Sequence, residues 1–233
     1  MISTRDLSGL PGIDALKRLL QSMAMLDAIL SPAWEYRLYS FNSKWSKGEQ
    51  MGSMRDSSGN DFFALFNKHG CFFKGFDHEA EMSPYREDPK RMWPGVLDSV
   101  PKVFASGLNE PAFNMEDTTL CIWRQYKDRR WQIGEIAFPQ LKPRPDGSER
   151  DPDGSSYLLS PLDGKPKTYH DWAVKHYAGG FNGENLTLAH VKHVYAHKPL
   201  TAAMVKAINP ELTLADLAEE IAEIGYPKRS GKK

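Results

Sequence analysis

The sequence has little cysteine and no long apolar run. Only Cys71 and Cys121 occur among its 233 residues, which argues against a disulfide framework and is typical of a reducing compartment. No apolar stretch approaches the roughly 18 residues needed to span a bilayer, and the first residues lack the order of a signal peptide. We therefore expect a cytoplasmic protein that does not enter a membrane.

The sequence also lacks a net charge. Thirty basic and thirty acidic residues cancel, whereas proteins dedicated to nucleic acids usually carry an excess of basic residues. The chain contains no Walker phosphate loop, no dinucleotide-binding fingerprint and no nucleophile elbow. These absences argue against a nucleic-acid partner and against the corresponding enzyme classes, and no cofactor is expected.

Apolar side chains are frequent enough to build a substantial core. They make up 40% of the residues, and those between residues 14 and 30 recur every three or four positions. This spacing predicts an amphipathic helix that stops at Ser31-Pro32. In the next segment Trp34, Tyr36 and Leu38 alternate with charged residues, which predicts a strand.

Two segments have the plan of a β-hairpin. In the first, residues 62–66 and 71–76 are rich in β-forming side chains and flank a polar turn. Gly70 ends that turn and supplies the positive φ that it needs. In the second, residues 118–126 and 131–136 flank a turn of charged side chains. The sequence thus predicts four strands in two hairpins.

Shorter sequence patterns predict further elements outside the two hairpins. A further strand is predicted around residues 51–55, and a helix at residues 96–104 that Pro101 shortens or breaks. Helices are also predicted at residues 168–177 and 188–196.

The end of the chain carries two helix start signals. Thr201 is the predicted N-cap of one helix, and Thr213 with Asp216 resembles a capping box before another. Two helices are therefore expected to finish the chain.

These elements predict an α+β fold, an antiparallel β-sheet of four to six strands with an N-terminal helix and a C-terminal helical segment. Residues 1–138 are expected to form the helix and sheet core, and residues 139–156 a loop rich in proline and glycine. Residues 157–233 are expected to form a helical segment packed on that core, in one domain overall.

One candidate catalytic cluster follows the first hairpin. His78, Glu79 and Glu81 lie where a strand ends, which is a common place for general acid–base residues. The simpler interpretation is a group of solvated charges at the point where the chain leaves the sheet. Both interpretations remain open from the sequence.

A candidate metal site lies in the C-terminal segment. His190, His193 and His197 are spaced to share one helical face, where three imidazoles would leave an open position on a zinc ion. No glutamate of the metalloprotease pattern accompanies them, so exposed histidines beside a core face are the alternative. Cys71 and Cys121 lie among apolar neighbours and are expected to be buried rather than reactive.

The aromatic residues suggest a third kind of site. Tryptophan and tyrosine beside arginine are typical of protein interfaces, because large rigid side chains and guanidinium groups contribute most to binding. The candidate interface residues are Trp34, Tyr36, Arg37, Trp123, Arg124 and Trp131. The alternative is that the aromatic rings fill the core.

Four blocks of the sequence resemble those of a family of bacterial proteins with no assigned activity. They are MLDAILSP (residues 25–32), YSFNSKW (39–45), KGFDHE (74–79) and WPGVL (93–97). The resemblance covers most of the chain and implies a bacterial cytosolic protein, with no catalytic residues to carry over. The order of helix, antiparallel strands and helices is also similar to the SUKH superfamily of immunity proteins, which bind and neutralise toxins, and that similarity is one of fold alone.

The leading hypothesis from the sequence is a non-enzymatic module that binds another protein, with toxin immunity as one form of it. The alternative is a hydrolase that uses the His78 cluster or a histidine-bound metal. No oligomeric state is predicted.

Overall fold

The computed structural model describes residues 1–147, 149–179 and 181–228. Its helices are α1 (Ile13–Leu30), α2 (Ala105–Leu108), α3 (Ser155–Leu159), α4 (Pro166–His176), α5 (Leu188–Tyr195), α6 (Ala202–Ile208) and α7 (Ala218–Ile224). Its strands are β1 (Tyr39–Ser46), β2 (Glu49–Arg55), β3 (Asp61–Asn67), β4 (Gly70–Phe76), β5 (Leu120–Gln125) and β6 (Gln132–Ile133).

The predicted fold class is confirmed. The strands form an antiparallel sheet in the order β1-β2-β3-β4-β5-β6, preceded by a helix and followed by helices. Within the described ranges, no helix has both the length and the apolar character that crossing a bilayer requires.

The chain divides into two compact units, each discontinuous in sequence. The first comprises Met1–Ile13 and Arg55–Asp163, and the second comprises Asp14–Met54 and Gly164–Lys233. Strands β3 to β6 belong to the first unit, and helices α4 to α7 belong to the second. The predicted packing of the C-terminal segment on the sheet stays a prediction.

The first unit contains both predicted hairpins. Strand β3 pairs with β4 across the turn at Gly70, and β5 pairs with β6 after the charged turn. Gly70 has a φ of 150°, and a Cβ there would lie 2.0 Å from the carbonyl oxygen of Arg124. The positive φ predicted for Gly70 is confirmed, and only glycine fits the close approach of β4 to β5 at this position.

The core of the first unit lies on both faces of this sheet. Side chains alternate along a strand, so neighbouring residues of β3 point to opposite faces. Phe62 packs against Phe73 on one face, with ring centroids 4.8 Å apart. Phe63 stacks on Phe113 on the other face, also at 4.8 Å.

The second unit is built around α1. This helix is the one that the apolar spacing of residues 14–30 predicts, and most of its side chains are buried. Polar side chains fasten it to the C-terminal part of the unit. Gln21 donates to the carbonyl oxygen of Ile224 at 2.9 Å, and Asn209 donates to that of Ile29 at 2.9 Å.

The strand predicted at Trp34 is wrong. Trp34–Tyr36 form a 3-10 turn, and β1 starts three residues later. The backbone bends because Arg37 donates to two carbonyl oxygens of the preceding segment. The carboxylate of Asp27 also accepts the N–H of Leu38 at 3.1 Å. The alternation of apolar and polar residues at positions 34–38 therefore belongs to a short turn and not to a strand.

The helix predicted at residues 96–104 is largely wrong. Residues 94–99 form turns, and helical structure begins with the 3-10 segment Lys102–Phe104 that leads into α2. Ser99 has a φ of 65°, which a right-handed helix cannot accommodate. Pro101 has an extended backbone at the N-cap of the helical segment, so it marks the start of helical structure.

The other predicted elements are confirmed. Strand β2 covers residues 51–55, and α4 and α5 lie where helices are predicted. Thr201 caps α6, because its hydroxyl oxygen accepts the N–H of Met204 at 3.1 Å. Thr213 and Asp216 form the reciprocal pair of hydrogen bonds of a capping box shortly before α7.

Candidate functional site

The most exposed aromatic side chains of the second unit lie on the turn after α1. Trp34 is 60% exposed and Tyr36 is 59% exposed. Phe181, from the loop after α4, contacts the ring of Tyr36 edge to face at 5.9 Å and is itself 37% exposed. We call Trp34, Tyr36 and Phe181 the aromatic surface.

Arg37 holds the backbone beneath the aromatic surface. Its side chain is 6% exposed and forms an ion pair with Glu220 at 2.8 Å. The same guanidinium donates to the carbonyl oxygen of Ser31 at 2.8 Å and to that of Pro32 at 2.5 Å. The sequence predicts Arg37 as an interface residue. In the structure its guanidinium holds the backbone of the turn through hydrogen bonds within its own unit.

Asp27 fixes the other side of the turn. It is fully buried and accepts hydrogen bonds from the N–H of Tyr39 at 2.8 Å and the hydroxyl of Tyr169 at 2.5 Å. Burial raises the pKa of Asp27 to about 6, and the hydrogen bonds from Tyr169 and Tyr39 oppose that rise. These hydrogen bonds hold the backbone of the turn that carries Trp34 and Tyr36.

The remaining candidate interface residues belong to the first unit. Trp123 and Trp131 are buried, and the indole N–H of Trp131 donates to the carbonyl oxygen of Pro11 at 2.9 Å. Arg124 is half-buried, and its guanidinium donates to two carbonyl oxygens of the adjacent turn. Of the six predicted residues, only Trp34 and Tyr36 offer a large exposed area.

Phe181 was not among the predicted residues. It lies in a sequence rich in glycine and asparagine, Gly-Gly-Phe-Asn-Gly. An aromatic residue in such a loop belongs to no periodic apolar pattern that would turn it toward a core. The isolated position of Phe181 in the sequence was therefore the signal for its exposure.

The predicted catalytic cluster is exposed. The Nδ1 atom of His78 lies 3.0 Å from Oε1 of Glu79, but 49% of the His78 side chain and 80% of the Glu79 side chain are exposed. Glu81 lines a cleft of about 410 Å³ whose lining includes neither His78 nor Glu79. The three residues therefore do not converge in one cavity, as a general acid–base site would require.

The three candidate metal ligands point to separate partners. His190 takes part in the capping box at the start of α5, and Nε2 of His193 lies 3.0 Å from the carbonyl oxygen of Pro199. His197 lies beyond the end of α5, with its Nε2 atom 2.8 Å from the carbonyl oxygen of Arg18. In the part of the chain that the structure describes, no three His, Cys, Asp or Glu side chains are grouped to hold a metal ion.

Both cysteines are buried, as predicted. Burial raises the pKa of the Cys71 thiol and of the Cys121 thiol above their usual range. The thiolate, which is the reactive form, is therefore disfavoured at both positions.

A buried charged cluster in the first unit was not predicted. The side chain of Lys74 has no exposed area, and its ammonium lies 2.8 Å from Asp61. The same ammonium lies 5.5 Å from the ring centre of Phe63 and 5.6 Å from that of Phe76. Burial lowers the pKa of Lys74, and the charge of Asp61 opposes this effect. Because the ammonium is enclosed, we assign this ion pair a structural role.

A second buried carboxylate, Asp153, fastens the N-terminal segment of the first unit. The hydroxyl of Thr4 and the N–H of Ser155 donate to it, and the N–H of Thr4 donates to the Ser155 hydroxyl at 3.0 Å. Burial raises the pKa of Asp153 to about 6, while the hydrogen bonds from Ser155 and Thr4 oppose the rise.

The raised pKa of Asp153 predicts a pH dependence of stability. Because the folded pKa lies above the ordinary value of 3.8, the contribution of Asp153 is greatest when it is protonated and is lost as the pH rises through about 6. In the wild type, the titration of Asp153 should lower the free energy of unfolding by about 2 kcal/mol between about pH 4.5 and 7.5, and Asp153→Asn should abolish this loss.

Urea denaturation of the wild type and the Asp153→Asn variant at both pH values measures this change. Asp6→Asn is the matched control, because hydrogen bonds to Ser8 lower the pKa of the exposed Asp6 carboxyl. The control should therefore leave the pH dependence unchanged over this range. A pH dependence equal to that of the wild type in Asp153→Asn would contradict the prediction.

Comparison with known proteins found no matching family model, no matching curated protein and no matching solved structure.

Proposed function

We propose that the chain is a non-enzymatic module that binds another protein through the aromatic surface. The observation that carries this proposal is the exposure of Trp34 and Tyr36 on a turn whose backbone is clamped. Tryptophan and tyrosine dominate binding energies because they bury a large area and lose little conformational freedom. A turn that is already ordered lowers the entropy loss on binding further.

The composition of the surface suggests the kind of partner. Glu35 lies between the two exposed aromatic residues in the sequence and is itself exposed. A complementary partner would offer an apolar pocket for the rings and a basic group at its edge. We therefore propose a partner with an apolar, weakly basic docking surface.

The hydrolase hypothesis receives less support. An acid–base enzyme needs its residues in a cavity that excludes water, and His78 and Glu79 are open to solvent. The histidines of the metal hypothesis are engaged with the backbone at separate places.

Two further parts of the proposal rest on the sequence alone. We propose a bacterial origin on the basis of the family resemblance, and a cytoplasmic location on the basis of the composition. Toxin immunity is one form of protein binding that agrees with the proposed role, and the partner would then be a toxin.

The test is a quantitative pull-down from a lysate of the source cells, followed by affinity measurements with the purified partner. The double replacement Trp34→Ala/Tyr36→Ala removes both exposed rings and should weaken binding by about 30-fold or more, which corresponds to at least about 2 kcal/mol. Because both side chains are exposed, the thermal unfolding temperature should change little.

Tyr126→Ala is the matched control. Tyr126 is 52% exposed and belongs to the first unit, so its removal tests whether any exposed aromatic ring has the same effect. The control should retain the wild-type affinity. A partner that binds the wild type and the double variant equally would disprove the role of the aromatic surface.

A further inference from the structure

A cleft in the first unit has the size of a ligand site. Its volume is about 520 Å³, within the range of about 300–1,000 Å³ typical of small-molecule sites. Its lining comes from the N-terminal segment around Arg5, from Arg124 and from residues 129–133. Every lining residue belongs to the same compact unit.

The cleft is strongly basic in a chain that has no net charge. Arg5, Arg124, Arg129 and Arg130 line it, and Asp6 is the acidic residue in its lining. The carboxylate of Asp6 already accepts the N–H of Ser8 at 3.0 Å. Four arginines and one aspartate thus line a single concavity.

The four arginines fall into two pairs. Arg5 and Arg124 are fixed, because Arg5 pairs with Glu149 at 3.2 Å and Arg124 donates to backbone carbonyl oxygens. Arg129 and Arg130 are exposed, and among the described residues no carboxylate lies within ion-pair distance of either. Two guanidinium groups are therefore free to bind a ligand.

The lining also includes an apolar component. The indole of Trp131 is held by its hydrogen bond to the carbonyl oxygen of Pro11, and Leu7 and Ile133 lie in the same lining. A ligand with an apolar body could rest against these side chains while its charged group meets the arginines. Guanidinium groups bind phosphate through paired hydrogen bonds, and a phosphate monoester carries nearly two negative charges at neutral pH.

We propose that this cleft binds a small organic phosphate monoester, with Arg129 and Arg130 as the residues that contact the phosphate. A dianion matches the excess of positive charge better than a single carboxylate does. The site does not depend on the proposed protein-binding role, because the aromatic surface belongs to the other unit.

Isothermal titration calorimetry at low ionic strength, in a buffer without phosphate, tests the proposal with phenyl phosphate as the probe. We expect saturable binding with one site per chain. Inorganic phosphate should bind several-fold more weakly because it has no apolar body, and phenol should not bind. The double replacement Arg129→Gln/Arg130→Gln should weaken phenyl phosphate binding by about tenfold or more.

Lys68→Gln/Lys102→Gln is the matched control. Both lysines are exposed and lie in the first unit outside the cleft lining, so the control changes the net charge equally. It should keep the affinity within about twofold of the wild type. Trp34→Ala/Tyr36→Ala should also bind phenyl phosphate normally, even if that variant has lost its protein partner.

Three results would overturn the proposal. One is the absence of phenyl phosphate binding to the folded wild type. Another is an equal loss of affinity in the arginine variant and in the lysine control, which would indicate a general effect of charge. The third is binding of a short single-stranded oligonucleotide without binding of phenyl phosphate, which would indicate a polyanion surface instead.

Discussion

Replacing Asp27 with alanine is expected to lower the free energy of unfolding by about 4 kcal/mol, because each buried donor left without an acceptor costs about 1–3 kcal/mol. The carboxylate accepts the N–H groups of Leu38 and Tyr39 and the hydroxyl of Tyr169. All three donors would lose their partner together, and the side chain has no exposed area through which water could replace it. Urea denaturation followed by circular dichroism measures the loss.

Asp14→Ala is the matched control for this replacement. Asp14 lies in the first turn of the same helix, and its side chain is 68% exposed. The loss of a solvated carboxylate near a helix N-terminus should cost no more than about 1 kcal/mol. Similar losses in both variants would show that burial and hydrogen bonding do not distinguish Asp27.

The Asp27 replacement also bears on the proposed binding surface. The carboxylate holds the backbone directly after the turn that carries Trp34 and Tyr36. Any Asp27→Ala protein that remains folded should therefore bind the partner more weakly, because the turn must be ordered during binding. This effect would be indirect, since Asp27 is buried and does not reach the partner.

The second large loss in the free energy of unfolding is expected when the buried ion pair of the first unit is broken. Replacing Asp61 with asparagine removes the charge that faces the ammonium of Lys74, which has no exposed area. An unpaired buried charge typically costs 3–5 kcal/mol, and because 24% of the Asp61 side chain is exposed we expect a loss of about 3 kcal/mol.

The double variant Lys74→Met/Asp61→Asn separates the charge effect from a packing effect. Methionine fills much of the volume of lysine without a charge, so the double variant should regain most of the stability lost in Asp61→Asn. Failure of the double variant to regain stability would mean that Asp61 contributes through contacts other than its charge.

The exposed pair of Lys167 and Asp171 provides the comparison. Their side chains are 72% and 48% exposed and approach to 2.5 Å. Breaking this pair with Lys167→Met should change the free energy of unfolding far less than Asp61→Asn does, because solvent screens both charges. The contrast with Asp61→Asn tests burial as the reason for the larger effect.

Local patterns in the sequence predicted most of the secondary structure. The spacing of apolar residues placed α1, since a helix must turn one stripe toward a core. The β-rich runs around Gly70 placed a hairpin, and Thr201 placed the start of α6. Each of these signals depends on residues close together in the chain, which is why they can be read without a structure.

The candidate sites were predicted less completely for the same reason. The sequence suggested Trp34 and Tyr36, but it could not separate them from Trp123 and Trp131, which have similar chemistry and are buried. It did not predict that Phe181 would lie beside Tyr36, a contact between residues far apart in the chain. Exposure is set by what packs over a side chain, and residue type does not determine that.

The sequence by itself determined the α+β class, the antiparallel hairpins, the buried cysteines and the approximate positions of the C-terminal helices. Only the tertiary structure decided that the residues around Trp34 bend into a turn, that Lys74 is enclosed, and that Arg5 and Arg130 line one cleft. The physical reason is distance along the chain. Helices, hairpins and caps depend on hydrogen bonds and side-chain periodicity among near neighbours, whereas burial, clamping and clefts depend on segments that only folding brings together.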